Sequence, residues 1–241
     1  MSIVAQSRQM LFKHLKSLRD ALLPGSCLLC AAGCGGHLIC PPCRRALPSL
    51  GGGCCPRCAE PGCGGLPCGH CQNTPPHFDA AWALWRYEHP VDRLIQALKY
   101  QGQLGLAQTF AQALAPVLAA GAQDWDGIIP LPLHPARLAE RGFNQTHEIS
   151  RHLARHLGLA LMPHLLQRTR ATPPQASLPL DKRQANMRNA FHCPGGVDKM
   201  SLLLVDDVLT TGATLAEAAR TLKLLGASRV DVAVMARTLH H

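Results

Sequence analysis

An α/β fold with a mainly parallel sheet, preceded by a small cysteine-rich zinc-binding module, is what this 241-residue sequence predicts. Three observations carry that reading. Eleven of the twelve cysteines lie before residue 77. Beyond it, short apolar runs of β type alternate with stretches of helical periodicity, the pattern of parallel strands joined by helices. The chain is also long enough for one domain with a sizeable core and a smaller companion. The expected division is a helix over 1–25, a cysteine module over 26–77 and an α/β domain over 78–241.

Leu11, Leu15, Leu18 and Leu22 recur at spacings of four, three and four, with Arg8, Lys13, Lys16 and Arg19 among them, so residues 3–23 are expected to form an amphipathic packing helix. An organelle transit peptide is the alternative for such a basic start. The start has no apolar core with a small-residue cleavage site, and no stretch reaches the roughly 18–20 apolar residues of a membrane span. We expect a cytoplasmic protein with no membrane span.

The cysteines then follow a repeated spacing. Cys27-x2-Cys30-x9-Cys40-x2-Cys43 recurs 28 residues later as Cys55-x2-Cys58-x9-Cys68-x2-Cys71. A Cys-x2-Cys turn brings two thiolates to one ion, and two such turns complete a tetrahedron, so two structural Zn2+ ions are expected. Four thiolates close the coordination shell and leave no position for a substrate. A disulfide framework would need an oxidising compartment, to which nothing here directs the chain. Crossed pairing of the turns stays open, and so does Cys54 in place of its neighbour Cys55. The intervening sequence is too rich in Gly and Pro to build a core, so metal must supply most of this module's folding free energy.

In the α/β part, residues 78–87 ("FDAAWALWRY") read as a strand or hairpin edge. Val91, Leu94, Ile95 and Leu98 follow at helical spacing, and a second helix is expected over 104–118. "DGIIPLPL" is a short apolar strand opening into "HPARLAERGFNQ", after which Ile149, Leu153 and Leu157 mark one face of a helix. "LLQRT" and "AFHC" look like strands flanking a polar, Pro-rich segment, 170–189, that is too long for an ordinary connection. Residues 201–205 suit a strand buried on both faces. Leu215, Ala218, Ala219, Leu222 and Leu225 outline a helix that stops near Gly226, and "RVDVAVMARTL" supplies a last strand.

The formal charge is +9. Residues 1–77 hold seven Lys/Arg against two Asp/Glu, but two zinc–thiolate sites would cancel most of that surplus. The excess that survives lies between Arg137 and Arg188, with nine basic residues against three acidic ones. That suggests an anionic ligand, phosphate or nucleic acid. The stretch "LLLVDDVLTTGAT" sits at the end of a buried strand, where ligands of open α/β sheets bind. Its hydroxyls and backbone N–H groups precede a helix start, which favours a phosphate, and Gly212 admits a tight turn. Asp206 and Asp207 would repel that phosphate. They must face vicinal hydroxyls or a divalent cation, and a sugar phosphate presents both needs.

"LLLVDDVLTTGAT" resembles the signature of type I phosphoribosyltransferases, which bind 5-phosphoribosyl-1-pyrophosphate (PRPP). The order of Cys-x2-Cys pairs, "LIQALKY", "RGFNQ", "RTRAT" and this signature is similar to the ComF/GntX family. The resemblance implies a type I phosphoribosyltransferase-like fold for residues 78–241. In it Asp206 and Asp207 take the ribose hydroxyls as the catalytic pair, and Thr210, Thr211, Gly212, Ala213 and Thr214 take the 5′-phosphate. It implies Mg2+ as companion of PRPP, with Lys99, Arg137, Arg141 and Arg170 supplying positive charge to the pyrophosphate, and Arg168 beside them. It further implies a role in DNA uptake, with single-stranded DNA and the uptake machinery as partners. Phosphoribosyl transfer and PRPP sensing without reaction remain the alternatives. Asn144 and Gln145 are expected to fix their loop, and Trp82, Trp85 and Trp125 to pack.

Overall fold

A computed structural model describes residues 25–121, 123–170 and 188–239. The stripe expected over 3–23 and most of the 170–189 segment lie outside them. The chain divides after Leu47 into two compact units, not at the composition change near 77. The second cysteine repeat therefore belongs with the α/β body. Its turn is bonded to the first strand, with Ala81 N–H donating to Pro56 O at 3.1 Å.

In the first unit an isolated bridge pairs Ser26 with Gly33, and helix α1 (Pro41–Arg45) starts directly after Cys40 with proline in its first turn. Cys27, Ile39, Cys40 and Leu47 are its buried apolar centre. So small a centre cannot offset the entropy of ordering the chain, and cross-linking by metal is the physical remedy. The second unit repeats the device with helix α2 (Gly69–Asn73), which follows Cys68.

The remaining strands are β1 (Ala81–Arg86), β2 (Gly127–Pro130), β3 (Ala160–Leu161), β4 (Gln167–Arg168), β5 (Phe191–His192), β6 (Ser201–Leu209) and β7 (Arg229–Arg237). The helices are α3 (Val91–Tyr100), α4 (Gly105–Ala120), α5 (Pro135–Arg141), α6 (Gln145–Leu157) and α7 (Ala213–Leu224). Among the described residues, five strands form one parallel sheet in the order β1-β7-β6-β2-β3. The short antiparallel pair β4–β5 stands apart from it. Leu202, Leu203, Leu204 and Val205 are wholly buried, as expected of a central strand covered on both faces. Leu202 and Leu204 pack with Leu215, Ala218, Ala219 and Leu222 of α7. Leu203 and Val205 point to the opposite face by alternation, toward α6 and, behind it, α4. Burying each such side chain contributes roughly 1.5–3 kcal/mol.

Two elements differ from expectation. The acidic pair does not end β6, because its ladder with β7 runs on through Asp206↔Val234, Val208↔Ala236 and Leu209↔Arg237. Tertiary pairing overrides the low strand preference of aspartate. "HPARLAER" is a helix: Pro135 occupies its first turn, His134 Nδ1 accepts from Ala136 N–H at 3.2 Å, and Gly142 ends it in the left-handed region at φ 81°. The tryptophans pack as expected. Trp82 meets Trp125 edge to face at 5.6 Å, and Trp125 donates to the buried Asp231 at 3.0 Å.

The chain leaves β2 toward β3 on one side of the sheet and leaves β6 toward β7 on the other. A crevice must open between the carboxyl ends of β2 and β6, where the winding reverses. No helix among the described residues is long and apolar enough to cross a membrane.

Candidate functional site

The cysteines form two separate clusters, Cys27/Cys30/Cys40/Cys43 and Cys55/Cys58/Cys68/Cys71, with the four sulfurs of each lying within 4.8 Å of one another. The pairing is sequential, one cluster per repeat. Sulfurs about 2.3 Å from a central ion stand about 3.8 Å apart along a tetrahedron's edge. Cys30 and Cys40 are 3.7 Å apart and Cys58 and Cys68 3.6 Å. The donor set therefore fits zinc. Backbone donors prepare the thiolates: Cys40 N–H points at Cys27 Sγ at 3.4 Å and Cys68 N–H at Cys55 Sγ at 3.2 Å. Burial raises the Cys27 thiol, but the N–H groups of Cys40, Leu29 and Cys30 outweigh it and bring it down to about 6. Cys54 turns away to Gly51 O, so Cys55 is the ligand.

At the crevice between β2 and β6 lies a cavity of about 200 Å³. Four segments build it. Leu131, Pro132 and Leu133 leave β2, α5 contributes Arg137 and Arg141, α6 presents Gln145 and Thr146, and β6 with its loop presents Asp206, Asp207, Thr210 and Thr214. Lys99 and Tyr100 from α3 and Arg168 from β4 close the rim. Asn144 holds the α5–α6 corner: its Oδ1 accepts from Thr146 N–H at 3.0 Å, capping α6, and its Nδ2 donates to Leu131 O at 3.1 Å.

The two acids are not equivalent. Asp207 is 4% exposed, and its two oxygens accept from Lys99 Nζ at 2.8 Å and Gln145 Nε2 at 2.7 Å. Gln145 in turn accepts from Arg141. Burial works against the Lys99 ammonium, but Asp207 outweighs it and raises its pKa above the ordinary value. Asp206 is the less committed acid, with Oδ1 accepting from Asp207 N–H at 2.8 Å. Burial, and next the Asp207 charge, push the Asp206 carboxyl up to about 7. Such a group is poised to take a cation or the hydroxyls of a sugar. Burial and the nearby Arg137 lower Arg168 below the ordinary guanidinium range, against the opposing pull of Asp206. The cavity thus lines itself with two acids and three guanidinium groups, Arg141 linked to Asp207 through Gln145 and Arg168 acting electrostatically on Asp206.

Gly212 stands at φ 79° as the residue before α7. A side chain there would have room, with Leu209 at 3.5 Å and Phe78 at 3.8 Å, so conformation is what requires glycine. Gly212 and Ala213 line a smaller hollow of about 20 Å³ that shares Asp206, Thr210 and Thr214 with the main cavity. Thr211 lines neither hollow, and its Oγ1 accepts from Ala213 N–H at 3.4 Å.

The structure therefore brings together Lys99, Arg137, Arg141, Asp206, Asp207, Thr210 and Thr214. Arg170 is exposed and donates to Arg188 O at 3.2 Å, away from the cavity lining. Tyr100 and Thr146 were missed, and so was the part Gln145 plays as the link between Asp207 and Arg141. Tyr100 ends the helix that carries Lys99, so adjacency to an expected residue was the only available signal.

A parallel α/β domain with its cavity at the point of reversal, and a central strand that carries an acidic pair and leads into a glycine loop, define a phosphoribosyltransferase-type protein. The family model for the phosphoribosyl transferase domain matches residues 139–241. The chain is 36% identical over 228 residues to the DNA utilization protein YhgH of Salmonella typhimurium, covering 90% of this chain and 99% of that one. It is 32% identical over 178 residues to Competence protein F of Haemophilus influenzae, covering 70% and 78%. It is 25% identical over 198 residues to Competence protein ComFC of Bacillus subtilis, covering 76% and 77%. The chain belongs to the ComF family, whose phosphoribosyltransferase-like domain is preceded here by two cysteine clusters able to hold metal.

Proposed function

We propose that this protein binds PRPP or a related sugar phosphate together with Mg2+ and acts in the cytoplasm on single-stranded DNA in DNA utilisation or uptake. The observation that carries the first half is the cavity at the β2/β6 reversal, whose lining joins the Asp206 carboxyl, its pKa raised, and the hydroxyls of Thr210 and Thr214 to Arg137, Arg141 and Arg168. Asp206 accepts hydrogen bonds from the ribose hydroxyls. Asp207, held by Lys99 and Gln145, orients it and adds negative charge. Thr210, Gly212, Ala213 and Thr214 seat the 5′-phosphate at the start of α7, with Thr211 bracing Ala213 N–H behind them. The arginines take the pyrophosphate end by charge-assisted hydrogen bonds. Mg2+, when bound, spreads the charge of the diphosphate.

Relatives that are a DNA utilization protein and a competence protein support the second half, and the arginine surplus supplies the electrostatic attraction a strand's phosphates need. Isothermal titration of PRPP with Mg2+ into the native protein and into Asp206→Ala/Asp207→Ala tests the ligand. Binding abolished by the double change supports the reading; equal heats in both discard it. Turnover of PRPP with a panel of bases then divides transferase from sensor. For DNA, an affinity that falls steeply with salt and weakens in Arg137→Ala/Arg141→Ala is expected, and salt-independent binding would remove the role.

A further inference from the structure

Arg237 ends β7 and is 3% exposed. Its guanidinium joins two parts of the molecule that the chain keeps far apart. Nη1 donates to Leu209 O at 3.3 Å and to Thr210 O, the two carbonyls at which β6 turns into the 210–214 loop. Nη2 donates to Glu60 Oε2 at 2.8 Å and lies 3.9 Å from Cys58 Sγ, a ligand of the second cysteine cluster. The neighbouring backbone follows the same course: Thr238 N–H donates to Leu209 O at 2.9 Å, and Cys55 N–H donates to Glu60 O at 2.7 Å. Apolar contacts run in parallel. Ala59, between Cys58 and Glu60, is buried with Phe78, Leu209 and Ala213, and Phe78 approaches the loop at Gly212.

We propose that Arg237 is a positioning residue through which the second metal cluster holds the 210–214 loop in its ligand-ready shape. The physical reason is charge. Four thiolates around Zn2+ carry a net charge of about −2 and are cross-linked in place, so the loaded cluster gives a neighbouring guanidinium a fixed anionic partner. The Arg237 guanidinium is shared among Cys58, Glu60 and the carbonyls of Leu209 and Thr210, and loss of the ion frees the Cys58 sulfur and so removes one fixed partner from that set. Carbonyls hydrogen-bonded to the same guanidinium lose their fixed donor as it moves. Loss of the second ion therefore loosens the start of α7, 150 residues further along the chain. Outer partners of metal ligands commonly serve orientation of this kind. From the proposed function this inference takes only that the loop is the seat of the ligand's phosphate.

The test uses the full metal-loaded chain and reads, without ligand and alongside zinc content, amide hydrogen exchange at Ala216 and Thr238, whose N–H groups donate to Gly212 O and Leu209 O and so report the shape of the loop. Cys58→Ser, which releases one equivalent of zinc, and Arg237→Gln, which retains both, should each reduce protection of the loop at least tenfold. Cys30→Ser, releasing the other ion, should leave it within twofold. Glu60→Gln gives a smaller loss in the same direction and serves if Arg237→Gln does not fold. Unchanged protection in Cys58→Ser, or an equal loss in Cys30→Ser, overturns the proposal. Titration of ribose 5-phosphate into the same proteins separates the two readings. If the native chain does not bind it while the exchange pattern holds, the ligand reading fails and the coupling stands. If the native chain binds it and Cys58→Ser binds it equally well, the coupling fails alone.

Discussion

Replacing Asp206 with asparagine separates what this acid costs from what it is for. Its carboxyl moves from an ordinary 3.8 to about 7 in the folded chain. A group with a raised folded pKa binds its proton more tightly when folded, so folding loses stability as pH rises through that window. The penalty is absent below about pH 4, grows between 4 and 7, and is complete above 7. Three units correspond to a ceiling of about 4 kcal/mol. The open cavity screens the charge, and roughly half, about 2 kcal/mol, is the expected gain on neutralisation. Asparagine preserves the shape and keeps an oxygen for the Asp207 N–H. At pH 8 Asp206→Asn should melt about 4–8 °C higher than the native chain. At pH 4 the two should coincide. The same variant should lose PRPP binding, the signature of an acid retained for function against stability. Differential scanning calorimetry over pH 4–8 reads both the sign and the window. A gap independent of pH, or a variant that melts lower at pH 8, would refute the reasoning.

The Lys99–Asp207 pair should behave in the opposite sense. Lys99→Met leaves a carboxylate only 6% exposed at its side chain without its cation, and breaking such a pair costs about 3–5 kcal/mol. A fall in melting temperature of about 6–20 °C is expected, largely restored in Lys99→Met/Asp207→Asn, and calorimetry of the double-mutant cycle checks it. Strong chelation should release two zinc equivalents and erase amide protection in residues 25–47, while β6 and β7 keep theirs; survival of the 25–47 protection in metal-free protein would count against structural zinc. Leu204→Ala should cost about 2–5 kcal/mol through the cavity it opens between β6 and α7, measurable by urea unfolding.

What the sequence disclosed was whatever recurs or is local. The 28-residue repeat names the ligands but leaves open a crossed pairing of the turns, which only the folded clusters settle, and the choice at Cys54/Cys55, where two adjacent thiols compete and only the turn that aims Cys54 at Gly51 decides. The run 202–214 is likewise local: strand, acids, glycine loop and helix occur in chain order. Hidden were the couplings that carry no period. Lys99 and Gln145 reach Asp207 from 108 and 62 residues away, and nothing in the spacing says that Asp207 is saturated while Asp206 is not. Arg237 looks like an ordinary strand-end arginine until β7 is laid beside β6 and the second cluster behind it. The continuation of β6 past its acids and the capped helix α5 depended on a ladder partner and on His134, Pro135 and Gly142 acting together.

The central claim is that one loop and one acid hold the two ends of a single sugar phosphate. Titrating ribose 5-phosphate, ribose and inorganic phosphate separately into the native chain, Asp206→Asn and Gly212→Val tests it most directly. The account predicts that only the joined molecule binds well, and that either change alone removes most of that affinity. Equal binding of inorganic phosphate and ribose 5-phosphate, or indifference to both changes, would contradict it.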